Sequence, residues 1–322
     1  EVDLVLSFEM RGGSGPSIMF ETNERNGWVV RALQAFDPHP FANSMAYEVY
    51  ERLPRDTDFT PFKEAGVQGL NFAAIDNAHV YHQVYDAPEN LSESTLQHHG
   101  VRALEGLRYF GNADLTSVND ANVVFFSVPV LGLIVYDQIW VLAVSFLNLM
   151  LFALLVAATR RGGGRVSRMA LGGLLSLLLV VSAYFIGDAA FGWLTGRHAE
   201  YGALQGSAFH SEGWYVLALA FTSLLLVVAG SVASRRWIAP VEVAVGAAVL
   251  PLLVAVGAGF AAPLAAMNFQ WPLAAGLVAA CVMALLGSRA SGGVGWLAYL
   301  LLAVPVFVMV QPVIELLWLA LS

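Results

Sequence analysis

The chain has 322 residues, 57% of them hydrophobic and only 12% charged, roughly half the charge of an average globular protein. The deficit is local: residues 1–120 carry 8 Lys and Arg with 18 Asp and Glu, whereas residues 121–322 carry 8 and 6. This excludes one uniform soluble domain, and it excludes an intrinsically disordered chain, which needs low hydrophobicity.

The net charge of −8 divides the same way, −10 before residue 121 and +2 after it. An acidic first part has no phosphate-binding footprint, so nucleic acid is not an expected partner. The single cysteine, Cys281, lies in an apolar run. A disulfide framework and a thiolate metal cluster are therefore excluded, and any metal would be held by His, Asp or Glu.

In chain order, residues 2–8 alternate like a strand, directly after a first residue that is Glu rather than Met. The other end stops inside an apolar run, so the sequence is expected to be an internal piece of a longer protein. Residues 17–21 read as a second strand. Apolar spacing predicts helices over 26–36 and 43–52, and residues 67–74 read as a buried strand. A helix follows over 92–110, with Ser92 or Ser94 as its cap and Leu96, Leu104 and Leu107 on one face. Strands alternating with helices predict an α/β domain with a mixed, largely parallel sheet and flanking helices. The apolar stretch 123–135 is too short to span a bilayer, and reads as an interfacial or strand segment.

A spanning helix needs about 20 apolar residues. Six stretches qualify, at roughly 139–158, 169–192, 214–233, 239–260, 269–287 and 294–312, and a seventh could begin near 313. Arg160, Arg161, Arg165, Arg168, Arg235, Arg236 and Arg289 all fall in alternate loops. Positive residues in short loops mark the cytoplasmic side, which puts residues 1–120 on the opposite side. The organisation expected is an extracytoplasmic domain over 1–120, a juxtamembrane segment over 121–138, and a polytopic α-helical bundle over 139–322. Asp188, Glu242 and Glu315 are the ionisable residues near the spans; each reads as interfacial, at a predicted helix end. The preference for Arg over Lys (15 to 1), with Ala- and Gly-rich spans, fits a bacterial inner membrane with the first domain on its periplasmic face.

In α/β sheets, sites form beyond the carboxyl ends of strands. Glu9 ends the first strand before a Gly-rich turn, and His82 follows the 67–74 strand by a short loop. Glu9 reads either as an acid pointing into a cleft or as a solvated strand-end carboxylate. His82 reads either as a metal ligand or as an ordinary loop or core histidine. Asp56 and Asp58 read as catalytic carboxylates or as the N-cap of a helix before Phe62 and Lys63.

The order of the pieces narrows this. The run Phe8-Glu9-Met10-Arg11-Gly12, Gly15-Pro16-Ser17-Ile18-Met19-Phe20-Glu21-Thr22, Pro54-Arg55-Asp56-Thr57-Asp58-Phe59, Gly69-Leu70-Asn71-Phe72-Ala73 and Tyr81-His82-Gln83-Val84-Tyr85-Asp86 resembles the membrane-bound branch of metallopeptidase family 28. These are co-catalytic zinc aminopeptidases, and the branch includes endoplasmic-reticulum metallopeptidases and fungal vacuolar membrane proteases. The resemblance implies a zinc-exopeptidase domain, two zinc ions, peptide substrates and a bilayer anchor. It implies that Glu9 is the acidic ligand of one zinc and His82 the histidine ligand of the other. Asp58 would lie near the substrate pocket, Asp86 would orient the loop carrying His82, and Arg11 would contact substrate.

The same resemblance requires an upstream His-x-Asp, a bridging aspartate and a Glu-Glu pair that includes the general base. Neither His-x-Asp nor Glu-Glu occurs in residues 1–322. The 322 residues alone are therefore expected to hydrolyse no peptide. The alternative reading is a non-catalytic polytopic membrane protein, scaffold or transporter, with a degenerate peptidase-like ectodomain.

Overall fold

The computed structural model describes residues 2–10, 13–52, 56–74, 76, 84, 86–198 and 212–286. Contacts divide them into two units: residues up to Leu142 together with Ala258–Asn268, and Ala143–Gly257 together with the described residues from Phe269 on. His82, Arg11, Glu315 and the sixth expected span, 294–312, lie outside the described residues.

The first unit is built on strands β1 (Leu4–Met10), β2 (Ile18–Thr22) and β3 (Gln68–Ala74), in the order β1-β3-β2. Side chains alternate across a strand. Leu4, Leu6 and Phe8 of β1 therefore join Leu70 and Phe72 of β3 and Met19 of β2 in one apolar core. Ser7, Glu9, Asn71 and Glu21 take the other face. The register fixes this, with Ser7 opposite Asn71 and Glu9 opposite Ala73 in a parallel pair, and Glu21 opposite Asn71 in an antiparallel one. The described sheet is thus mixed, one pair of each kind. It is less parallel than the strand–helix alternation implies, because β2 runs back against β3.

Helices α1 (Gly27–Phe36) and α2 (Ser44–Tyr50) form where the spacing places them, and Asn43 caps α2 by accepting from the Met45 amide at 2.8 Å. A short helix α3 (Thr60–Glu64) precedes β3. Helix α4 (Glu93–Phe110) begins at Ser92, whose side chain accepts from the Thr95 amide. Its packed face differs from the expected leucine stripe. Thr95, His99, Arg102, Gly106 and Phe110 are buried, whereas Leu96, Leu104 and Leu107 are 58%, 48% and 67% exposed. The reason is the ion pair that α4 must seat. Arg102 Nε lies 2.6 Å from Asp37 Oδ2, with both side chains essentially inaccessible. The Arg102 guanidinium also donates to the His39 carbonyl at 3.0 Å and stacks over the Phe72 ring. Gly106 lets the helix come down onto Leu6 and Phe36.

Residues 121–138 are more than a connector. Strands β4 (Val123–Val128) and β5 (Gly132–Asp137) form an antiparallel hairpin, and Val123, Phe125 and Leu133 enter the same core as α1 and the sheet. Ser44 bridges this hairpin to a distant segment of the same unit, accepting from the Phe125 amide at 3.3 Å and donating to the Leu264 carbonyl at 2.5 Å. Beside it, the Asn43 and Asn268 amides pair at 3.4 Å, and Met45 packs with Ala265.

The apolar part contains α5 (Trp140–Arg161), α6 (Val166–Arg197), α7 (Glu212–Ser234), α8 (Pro240–Ala261) and α9 (Met267–Leu286). Each overlaps one of the first five expected spans. Four of them, all but α7, are long and apolar enough to cross a membrane, and α7 carries a shorter apolar stretch, Ala220–Ser234. The 32 residues of α6 rise about 48 Å at 1.5 Å each, more than the ~30 Å hydrocarbon layer. Asp188, exposed on α6, lies inside this helix rather than at its end.

Within the second unit, small residues and buried amides do the joining, as in membrane bundles. A Cβ on Gly173 of α6 would meet the Gly246 backbone of α8 at 3.1 Å. Gln270 donates to Ser145 Oγ at 2.7 Å, and the Asn148 amide donates to the Gln270 carbonyl at 3.1 Å. Glu242 is buried with a capping role. One carboxylate oxygen accepts from the Ala239 amide at the start of its own helix, and the other from the Arg165 amide at the start of α6. Two helix N-termini share one acid, a favourable use of negative charge.

Candidate functional site

Glu9 is the last inward residue on the polar face of β1, and the chain folds its neighbours around it by register. Asn71, one strand away, is fully buried and points its amide into the same space. Asn71 Nδ2 donates to Glu9 Oε1 at 3.0 Å and to Glu21 Oε2 at 2.9 Å, and lies 3.1 Å from Thr57 Oγ1. Thr57 Oγ1 in turn donates to Glu21 Oε2 at 3.1 Å. Glu21, only 1% exposed, is neutralised by Lys63 Nζ at 3.1 Å from Oε1, and the same ammonium pairs with Glu51. Two carboxylates on adjacent parts of the sheet are thus tied through one amide.

The electrostatics are one-sided. Burial pushes the Glu9 carboxyl above its ordinary value; hydrogen bonds from Asn71 and Thr57 act against this, and the nearby charges of Asp58 and Glu21 reinforce it. Burial would lower Lys63, but its hydrogen bonds to Glu51 and Glu21 carry it above its ordinary value. Among the described residues, Lys63 pairs with Glu21 and Glu51, and Glu9 feels the charges of Asp58 and Glu21. An acid that is half-buried among other acids is relieved by a cation, and oxygen donors suit zinc.

The expected site residues fare unevenly. Glu9 and Asp58 lie near enough for their charges to interact, with Asp58 exposed and the neighbouring Phe59 buried against Gly69. Asp56 and Asp58 do not cap α3: its N-cap is Phe59, without a side-chain bond. The Asp56–Asp58 stretch contributes its middle residue instead, the Thr57 hydroxyl. Asp86 is exposed, and its link to His82 lies outside the described residues, as do His82 and Arg11 themselves. Met10, next to Glu9, turns outward to 37% exposure. Among the described residues, no group of three or more His, Cys, Asp and Glu side chains could hold a metal ion.

Sequence reasoning missed Glu21, Asn71, Thr57 and Lys63. Glu21 and Asn71 were visible as polar residues inside strand-like stretches, the Asn in the otherwise apolar Gly69–Ala74 stretch being the strongest signal, whereas Thr57 and Lys63 carried none.

Residues 1–106 match the family model Peptidase family M28. This part of the chain is similar to peptidase family M28. Human endoplasmic reticulum metallopeptidase 1 is 31% identical over 140 residues, covering 41% of this chain and 16% of the human protein. A protein of Schizosaccharomyces pombe named putative endoplasmic reticulum metallopeptidase 1 is 26% identical over 218 residues, 66% of this chain and 25% of its own length. The vacuolar membrane protease of Lachancea thermotolerans is 29% identical over 97 residues, 30% of this chain and 10% of its own. The chain therefore spans between a tenth and a quarter of the length of these relatives. An alignment of 218 residues is longer than the first unit's leading segment, so the S. pombe likeness runs on into the apolar helices. No solved structure matches.

Proposed function

We propose that this chain is part of a membrane-anchored zinc-dependent peptidase that releases N-terminal residues from peptides on the non-cytoplasmic face, on a bacterial inner membrane the periplasmic one. The observation that carries the reading is Glu9: an acid within the M28-like stretch at the carboxyl end of β1, held by Asn71 and beside the charges of Asp58 and Glu21. In this reading Glu9 ligates one zinc and His82 the other. Asp58 lies at the substrate pocket, Asp86 orients the His82 loop, and Arg11 contacts the peptide. Zinc held there would supply a water of lowered pKa and positive charge to polarise the scissile carbonyl. Asn71 holds the Glu9 carboxylate in place through Oε1. The grouping of Ala258–Asn268 with the first unit supports the sidedness, since the Arg-poor α8–α9 turn belongs with residues 1–120 on the side opposite the Arg-rich loops.

No His-x-Asp and no Glu-Glu occurs in the 322 residues, so the chain by itself supplies no general base and is proposed to be inactive alone. That same observation favours the second reading, a non-catalytic polytopic protein with a degenerate peptidase-like domain. Zinc content and hydrolysis of aminoacyl arylamides by the intact membrane protein separate the two. The peptidase reading expects bound zinc and turnover, with Glu9→Gln and His82→Ala each lowering both. Full zinc occupancy and full turnover in Glu9→Gln would remove Glu9 from the site. An intact protein with neither zinc nor turnover would leave the scaffold.

A further inference from the structure

Strands β4 and β5 are joined by Pro129-Val130-Leu131. The Leu131 amide donates to the Val128 carbonyl at 3.1 Å, and Val130 sits at φ 71°. This is the pattern of a type II turn, with Pro at its second position and Val at the third, where positive φ favours Gly or Asn. A β-branched residue in that conformation is strained. The strain gains no packing, since Val130 is fully exposed and Leu131 is 73% exposed. The turn carries no charge and no polar side chain, in contrast to ordinary solvent-facing hairpins.

Both ends of this hairpin adjoin the ends of apolar helices. Beyond β5 come Ile139 and Trp140, 75% and 58% exposed, where α5 begins. At the turn end, the Ser127 hydroxyl holds the Ala42 amide, and Phe126 bridges to Asn43. Next to these, Ser44 reaches Leu264 in the turn between α8 and α9. Within the first unit, the hairpin is therefore followed directly by the start of one candidate span and is linked through Ser44 to the turn joining two others. An aromatic at the start of a span and bare apolar side chains on a turn of the same hairpin are the residue types that suit the boundary between lipid headgroups and acyl chains.

We propose that the tip of the β4–β5 hairpin, Val130 and Leu131, dips into the bilayer surface and fixes how the first unit sits on it. This goes beyond the zinc reading and does not depend on it. The test uses the whole chain in phosphatidylcholine nanodiscs, with Cys281→Ala and single spin-labelled cysteines at Leu131, at Gln97 on exposed α4 and at Leu149 on α5. Collisions with oxygen are compared with those with a water-soluble nickel chelate. Leu131 is expected to favour oxygen, as Leu149 does, and Gln97 the chelate. A label at position 131 that is as chelate-accessible as Gln97 overturns the proposal. One shielded from both reagents overturns it in favour of a protein contact. Should the labelled variant fail to fold, the unaltered chain in nanodiscs with diazirine-bearing phosphatidylcholine is expected to give lipid adducts within residues 129–132. Val130→Gly, which relieves the positive φ and so preserves the turn, is expected to reduce those adducts; adducts confined to the apolar helices overturn the proposal.

Discussion

The two faces of the β1-β3-β2 sheet both bury charge, and they do it in opposite ways. On the core face Arg102 and Asp37 neutralise each other in a fully inaccessible pair, and His99 packs edge-on against Phe8 with its Nδ1 2.9 Å from Ser17 Oγ. Its imidazole is pushed down to about 4, by burial first and then by the Arg102 and His98 charges, so it sits neutral at pH 7. On the polar face Glu21 and Glu51 share the Lys63 ammonium, and Glu9, beside the charges of Asp58 and Glu21, is held in a place that disfavours its charge. A balanced cluster is what a fold needs. A surplus of one sign, at the carboxyl end of a strand, is what a cation site needs.

The largest expected effect tests the balanced side. Arg102→Met leaves Asp37 buried without a partner, and removing one member of a buried pair typically costs ~3–5 kcal/mol. Pulse proteolysis of the first unit in detergent reads this directly. If Arg102→Met loses less than the Lys63→Met variant below, the core-face pair is not the structural one.

Acid titration contrasts the faces by sign. His99 is depressed in the fold relative to its ordinary 6.5, so the unfolded chain binds the proton first. Its contribution is fully present above pH 6.5 and is lost as pH falls towards about 4, on the order of 3 kcal/mol by linkage. Glu9 is raised in the fold, so it acts the other way: stability falls as pH rises from its ordinary 4.5 through its raised value. His99→Asn should flatten the loss between pH 6.5 and 4. Glu9→Gln should make the metal-free chain more stable at pH 7 while removing the proposed ligand, the trade expected of a functional acid. A Glu9→Gln variant that is less stable at pH 7 would place Glu9 among structural residues.

On the polar face, Lys63→Met strands Glu21, which is only 1% exposed. Leaving a buried polar group unsatisfied costs ~1–3 kcal/mol, reduced here because Lys63 itself keeps some solvent contact. Adding Glu21→Gln should restore most of that loss in a double-mutant cycle. Additive losses would mean that Lys63 acts through Glu51 alone.

Much of this was legible in the sequence. The span lengths, the capping of α4 by Ser92, the three strands and the family resemblance all follow from local signals: apolar run length, cap residues, alternation and motif order. What stayed hidden depends on three-dimensional register. Glu21 and Asn71 are 50 positions apart and meet only because β2 and β3 pair with one opposite the other. The capping bond of Glu242 stayed hidden, because nothing local says that the Arg165 amide comes to it from another helix. Stretch 121–138 read as a juxtamembrane segment, interfacial or strand, and its burial was hidden because it requires α1 and the sheet to be already in place.

Helix α4 is where local pattern was most misleading, and it gives the smallest expected effect. Leucines at helical spacing normally mark the packed face, yet here the inward stripe carries His99, Arg102 and Gly106, and Leu104 and Leu107 point out. Burying a guanidinium on that face commits the rotation of the whole helix, since turning the leucines inward would expose the Asp37 pair. Leu104→Ala and Leu107→Ala are therefore expected to change stability by less than ~0.5 kcal/mol each. A packed leucine would lose ~2–5 kcal/mol on the same truncation. Losses in that range, read by the same pulse proteolysis, would mean that α4 is rotated from the position described and that the Arg102–Asp37 pair is not buried.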